Sequence, residues 1–360
     1  MTKLRVSLLC AALLAAGART GAAHPGHAAP KTTRTVRWTV AHFRDDASFN
    51  KLLDGFARRV AEKSGGMLKV EFDNPAGPEA GRELDSETVN RRLTEGSADM
   101  AQVEVVALGA GVIETPFLFR GYEHAESVWN SPVGDKLLAR IPDATGGKVE
   151  GLAFSYSGGY RIMVGQKAVR RASDFKNLRL RDNGTSAEIF ADLGAATVKV
   201  ERAELAGKTP LDLAAEGRVD LEETEINRLA YFKLRHPDAA KKLKYLNLTN
   251  NSMLVTVMAA NRAFLASLDE KSRALLVQEV RALPAAERKL SVDLARTNLE
   301  SLRKDGMTVV SLPKSEQRAM ETLAETHSAK SPDAATIREI KAVKDVEVTA
   351  ASLGSAADRP

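Results

Sequence analysis

The chain has 360 residues, long enough for two lobes each with its own core, and its 44% hydrophobic and 28% charged content is that of a soluble globular protein. Its formal charge is +5, yet Lys3, Arg5 and Arg19 stand in the first 23 residues with no acid beside them, and removing those three leaves +2. With no long Lys/Arg block, this balance speaks against a nucleic-acid partner. The single cysteine, Cys10, lies in the same segment, which excludes disulfides, thiolate chemistry and cysteine metal sites from the rest of the chain.

The first residues combine a basic start, an apolar stretch from Val6 to Ala16 and the small residues Gly21-Ala22-Ala23. That order predicts a secretory signal peptide over 1–23, cleaved near Ala23. The apolar stretch is shorter than the ~20 residues of a membrane span, and a lipoprotein site at Cys10 is disfavoured by the bulky Leu9 before it. The product is expected in the periplasm, free of a membrane. Residues 24–34 predict a disordered leader, and His24 and His27 there lack the further ligands a metal site needs.

"TVRWTVAHF" (35–43) alternates as a strand, and a helix follows through Phe49, Leu52, Leu53, Phe56 and Val60 to the stop at Ser64-Gly65-Gly66. "MLKVEF" (67–72) predicts a second strand. A Pro/Gly-rich turn then leads to a helix carrying Val89 and Leu93, and "SADMAQVEVVALGAG" to a third strand. Strands alternating with helices predict a largely parallel sheet. Further strands are expected at 149–157, 178–181, 196–200, in "VDLEETEINRLA" (219–230), at 245–251 and at 252–261. From Phe264 to about Leu302 the pattern is helical, with Pro284 expected to kink or divide it. A last strand at 306–313 and a helix from Ser315 precede an Ala-rich tail, 331–360, expected to be flexible.

"DFKNLRLRDNGTSAEIFADLGA" (174–195) is a strand, loop and helix whose strand ends on two fixed positive charges, Arg179 and Arg181. The carboxyl end of a parallel strand faces the crevice where α/β folds bind ligands. A guanidinium there can hold a carboxylate with two parallel hydrogen bonds. Arg179 has a rival reading as a surface ion pair. No G-x-S-x-G elbow, H-E-x-x-H or phosphate-cradling loop is present, so the chain is not read as an enzyme, and no cofactor or metal is expected.

Seven stretches in order resemble the extracytoplasmic solute-binding subunits of TRAP transporters, the DctP-like family: "EKSGGMLKVEF", "RRLTEGSADMA", "TPFLFRGYEHAESVWNSPVGDKL", "GGYRIMV", "SDFKNLRLRDNG", "AAEGRVDLEE" and "NRAFLASLDEKSRALLVQEV". They run from about Val36 to His327. The resemblance implies an α/β fold of two lobes around a cleft, braced by a long helix. The lobes are expected to comprise 35–157 with about 250–285, and 158–249 with about 286–330. It also implies capture of an organic acid by arginine pairing and hinge closure, and delivery by a monomer to TRAP-type permease subunits. A ligand-sensing protein serving a signalling receptor is the alternative.

By the same resemblance, Arg181 and Arg161 are the family's carboxylate-holding arginines. Where members read "DGQENP" this chain reads "DLEETE", with Thr224 in the place of a ligand-reaching Asn, Glu225 in that of Pro, and Glu223 beside them. A cleft-facing Glu225 would repel a second carboxylate, or equally accept hydroxyl or amine hydrogens. Asn183, Asn251, His42 and Glu104 complete the expected ligand contacts; Phe117, Phe119, Tyr156 and Tyr160 are read as packing.

Overall fold

The computed structural model describes residues 33–40, 47–72, 86–205 and 208–345. The signal peptide, almost all of the leader, His42 and the last fifteen residues of the tail lie outside the described residues.

Among the described residues, ten strands form the framework: β1 (Arg34–Val40), β2 (Leu68–Phe72), β3 (Met100–Glu104), β4 (Val149–Gly165), β5 (Arg179–Arg181), β6 (Ala196–Val198), β7 (Leu221–Glu225), β8 (Tyr245–Leu248), β9 (Met253–Asn261) and β10 (Thr308–Ser311). They lie in the order β2-β1-β3-β9-β4-β7-β5-β6, with β8 joining β4 to β10. β1 is parallel to β2 and β3, and β5 to β6 and β7, as the alternating strand–helix pattern predicts. Both runs are tied together by antiparallel pairings of β4 and β9.

β4 is one strand of 17 residues, where a strand over 149–157 alone was expected. Its first half pairs with β9, and its second half, from Arg161, pairs with β7 and β8. The register shifts between Tyr156 and Tyr160, where Gly158 and Gly159 have φ of 92° and 81°. A Cβ on Gly158 would stand 2.7 Å from the Cβ of Glu225, and one on Gly159 would fall on the Tyr122 hydroxyl. Only glycine permits this left-handed, close-approach crossing.

The fold is therefore two-lobed. In one lobe the helix Ala47–Lys63 lays Leu53, Phe56 and Val60 against Val36, Trp38 and Met100. In the other, Phe175, Leu180, Phe190 and Leu221 form one packed cluster, and Ile162, Val164, Leu213 and Leu246 another. The long helix Glu270–Lys304 braces both: Leu276, Val280 and Leu283 join the first lobe's core, and Ala295, Leu299 and Leu302 the second's.

Pro284 does not divide this helix. Proline withdraws one backbone donor, but Leu283 and Pro284 are buried, and packing on both sides of Pro284 holds the turn in place. The tail expectation also needs correcting over its described part. Residues Ala334–Ala342 form a helix whose Ile337 and Ile340 are buried in the first lobe's core. Arg120 fastens its end through the carbonyls of Lys341 and Val343, both at 2.8 Å. Alanine content suggested a loose segment; two isoleucines three apart supplied an apolar face that finds a partner.

Candidate functional site

"LEETE" forms the strand β7, within the stretch expected to be a strand, and is buried at every residue. Burying three glutamates demands partners, because an isolated carboxylate in a protein interior is strongly disfavoured. Strand register decides which partners they meet. Arg161 stands opposite Glu225, Met163 opposite Glu223, and Leu180 opposite Leu221. Directly opposed residues share a face and successive residues alternate. Arg161, Glu223 and Glu225 thus lie on one face of the sheet, and Arg181, Glu222 and Thr224 on the other.

Each of the two arginines expected to converge is paired with an acid of β7, and Asn183 links them: its Oδ1 accepts from Arg181 Nη2 at 3.4 Å, and its Nδ2 donates to Glu223, which also accepts from Arg161. Arg181 is engaged by Glu222: its Nε lies 2.9 and 3.1 Å from the two carboxylate oxygens and Nη2 2.7 Å from Oε1. Burial raises the Glu222 pKa, with Arg181 working against that shift. Arg179 forms the surface pair foreseen as its rival reading, with Asp220, whose pKa this bond lowers.

Arg161 is the centre of a second cluster, at the point where β4 passes between lobes. Its Nη2 donates to Glu114 Oε2 at 2.7 Å and its Nη1 to Glu223 Oε2 at 3.3 Å. Glu114 follows Val112 and Ile113 of the first lobe's core, while Glu223 belongs to the second lobe, so one guanidinium ties the two. Burial opposes the charge on Arg161, but Glu114, Glu223, Glu225 and Glu104 together hold its pKa above the ordinary arginine value. Burial pushes the Glu114 carboxyl up to about 7 against the pull of Arg161, with Glu104, Glu223 and Glu225 adding to the rise.

Asn183 and Asn251 both donate through Nδ2 to Glu223, to its Oε2 and Oε1 respectively. Thr249 in turn donates to Asn251 Oδ1 at 2.7 Å. The structure therefore gathers Arg161, Glu223, Asn183 and Asn251, with Glu104 close enough to act on Glu114 electrostatically. Thr224 is buried with no partner on its hydroxyl, on the face of Glu222 rather than of Arg161. Tyr160 packs edge-on against Tyr122, and Tyr156 donates to Glu126 at 2.9 Å. Glu114 was not foreseen. A lone acid inside the apolar run "GVIETPFLF" was the available signal, since a charge there must be buried or serve a site. No group of acids and histidines among the described residues is arranged to hold a metal, and none of the described helices is long and apolar enough to cross a membrane.

The model of the bacterial extracellular solute-binding proteins, family 7 (DctP), matches residues 41–331. The chain belongs to this family. A solute-binding protein of Verminephrobacter eiseniae is 26% identical over 288 residues, 79% of this chain and 80% of that one. A TRAP periplasmic solute-binding protein of Ochrobactrum anthropi has the same fold, with a TM-score of 0.71 and 23% identity over 86% of this chain and 94% of that one. Another from Polaromonas sp. JS666, bound to D-erythronate, gives 0.70 and 23% over 86% and 99%. DctP-family members are binding proteins of transport systems rather than enzymes, and the family is periplasmic. This DctP-family chain shares their two-lobed fold and buries acids around its arginines.

Proposed function

We propose that the chain, exported by its N-terminal signal, captures a small polar monocarboxylate between its lobes and delivers it to a TRAP-type permease. The observation that carries this reading is Arg161, a buried, permanently charged group held by acids from both lobes at the strand that joins them. A guanidinium in that position can exchange one carboxylate for another and couple the exchange to lobe movement. The D-erythronate of the Polaromonas relative supports the polyhydroxy acid class. Closure then follows from the tighter grip of one lobe arrangement on the solute.

In this reading Arg161 is the anchor, and Asn183 and Asn251 set Glu223 in place beside it. Arg181 becomes a positioning residue, which fixes β5 against β7 through Glu222. The acids near Arg161, Glu104, Glu114, Glu223 and Glu225, argue against a solute with two carboxylates.

A thermal-shift screen of the mature chain against mono- and dicarboxylates tests the reading, since binding to the folded state alone raises the melting temperature. The expected result is a shift with hydroxylated monoacids. Arg161→Lys keeps the charge but loses the planar fork, and calorimetry is expected to show affinity reduced by about a hundredfold with the fold intact. Unchanged affinity in that variant overturns the role of Arg161. Uptake by liposomes carrying a TRAP membrane pair tests delivery.

A further inference from the structure

Arginine meets carboxylate in a recurring way in this chain: Nε and Nη2, which form one edge of the guanidinium, both donate. Arg37 holds Asp99 so at 3.1 and 2.8 Å, Arg179 holds Asp220 at 3.1 and 3.0 Å, and Arg288 holds Glu126 at 2.5 and 2.6 Å. Arg181 treats Glu222 alike. Arg161, although buried, is not held in this way. Its Nη2 reaches Glu114 Oε2, but its Nε–H has no partner, and neither has the other oxygen of Glu114, Oε1. Both atoms are buried. Leaving a donor and an acceptor of charged groups unsatisfied in an interior is costly, and such pairs call for an explanation.

One donor and one acceptor, left over on an Arg–Glu couple already joined through Nη2 and Oε2, are complementary to a specific fragment. A carboxylate oxygen accepts from Arg161 Nε–H, and a hydroxyl or other donor on the adjacent carbon donates a hydrogen bond to Glu114 Oε1. We propose that Arg161 and Glu114 together select solutes carrying a hydrogen-bond donor on the carbon next to the carboxylate, 2-hydroxy acids in the first instance.

This deepens the proposed function and rests on it. Glu114 is then a specificity residue. An acid without the neighbouring donor would bring its carboxylate against Glu114, with Glu104, Glu223 and Glu225 close by, and leave Oε1 unsatisfied. Sites built to bond a hydroxyl reject the analogue lacking it for this reason. A second carboxylate is disfavoured on the same electrostatic ground.

The test is calorimetry at pH 8, where Glu114 is predominantly ionised, on the full mature chain. The probes are sets differing only at C2: D-gluconate and 2-deoxy-D-gluconate; D-erythronate and its 2-deoxy analogue; L- and D-lactate, propionate, pyruvate and L-alanine. In each set that binds, the member with the C2 donor is expected to bind at least about tenfold tighter than its deoxy and keto partners. L-Alanine separates an ammonium from a hydroxyl as that donor. In Glu114→Ala the ratio is expected to collapse to within about threefold while binding persists. Glu114→Met, of similar shape, serves the same purpose should the alanine variant melt early. Equal affinity across a set in the wild type, or an undiminished ratio in these variants, overturns this proposal and leaves carboxylate capture standing. A folded protein that binds none of these acids, nor any acid of the wider screen, overturns carboxylate capture itself and this proposal with it.

Discussion

Glu114 Oε2 lies 2.7 Å from Arg161 Nη2, and the two residues are 47 positions apart in the chain. This contact brings the last residue of the first lobe's short 3-10 helix, Gly111–Glu114, onto the arginine at the strand shared by both lobes. Its first consequence is for stability against pH. Burial raises Glu114 to about 7, and burial likewise raises Glu287, which accepts from Gln102, to about 7. A carboxyl whose folded pKa exceeds its unfolded value binds more protons in the native state between the two values. Stability from these two groups is therefore greatest below about 4.5 and is lost as pH rises through about 7. Thermal melts of the ligand-free chain should show a higher Tm at pH 5.5 than at pH 8. Glu287→Gln should flatten that slope, by an amount of the order of 1–3 kcal/mol in the wild-type difference. An equal slope in the variant would remove Glu287 as a contributor.

The two arginines of β5 should differ sharply. Arg179 is half-exposed in its pair with Asp220, and an exposed pair contributes at most about 1 kcal/mol. Arg181 covers a carboxylate whose side chain is only 1% exposed. Arg181→Met leaves that charge buried without its hydrogen-bonded partner, with only the more distant pull of Arg228 remaining, a loss of about 3–5 kcal/mol. Urea unfolding of the two single variants, Arg179→Met and Arg181→Met, reads the contrast; comparable losses would mean that burial of Glu222 is not what separates them.

At the crossing of β4, Gly159→Ala meets the Tyr122 hydroxyl and carries an unfavourable positive φ. We expect a loss of about 2–4 kcal/mol. Adding Tyr122→Phe removes the clashing oxygen but not the backbone strain, so the double variant should recover part of the loss. A double-mutant cycle by chemical denaturation measures that coupling, and strict additivity would contradict the steric account.

Pro284 sits inside a 35-residue helix. Pro284→Ala returns a backbone donor to the carbonyl of Val280 and should stabilise the chain by about 1–2 kcal/mol, offset in part by the freer unfolded chain. Calorimetric melting decides the sign. A lower Tm would show that the buried ring contributes more through packing than it withdraws from the helix.

Much of this protein is written locally. Alternation in "TVRWTV" and "MLKVEF", the helical period of Phe49 to Val60 and the βα pattern ending at Arg181 depend on neighbours a few residues apart, so they could be read before any contact was known. The ordered stretches that mark the DctP family belong to the same layer. What local pattern could not determine is which carboxylate meets which guanidinium. Arg181 looked like a hand extended to a ligand, but the register of β5 on β7 set Glu222 beside it. Arg161 receives Glu223 from 62 residues away and Glu114 from the other lobe. Pro284 and the C-terminal helix show the same limit, since burial overrode what their residue types favour by themselves. Tertiary structure settled these matters because charge pairing acts through space, and only the folded sheet decides which distant side chains share a face.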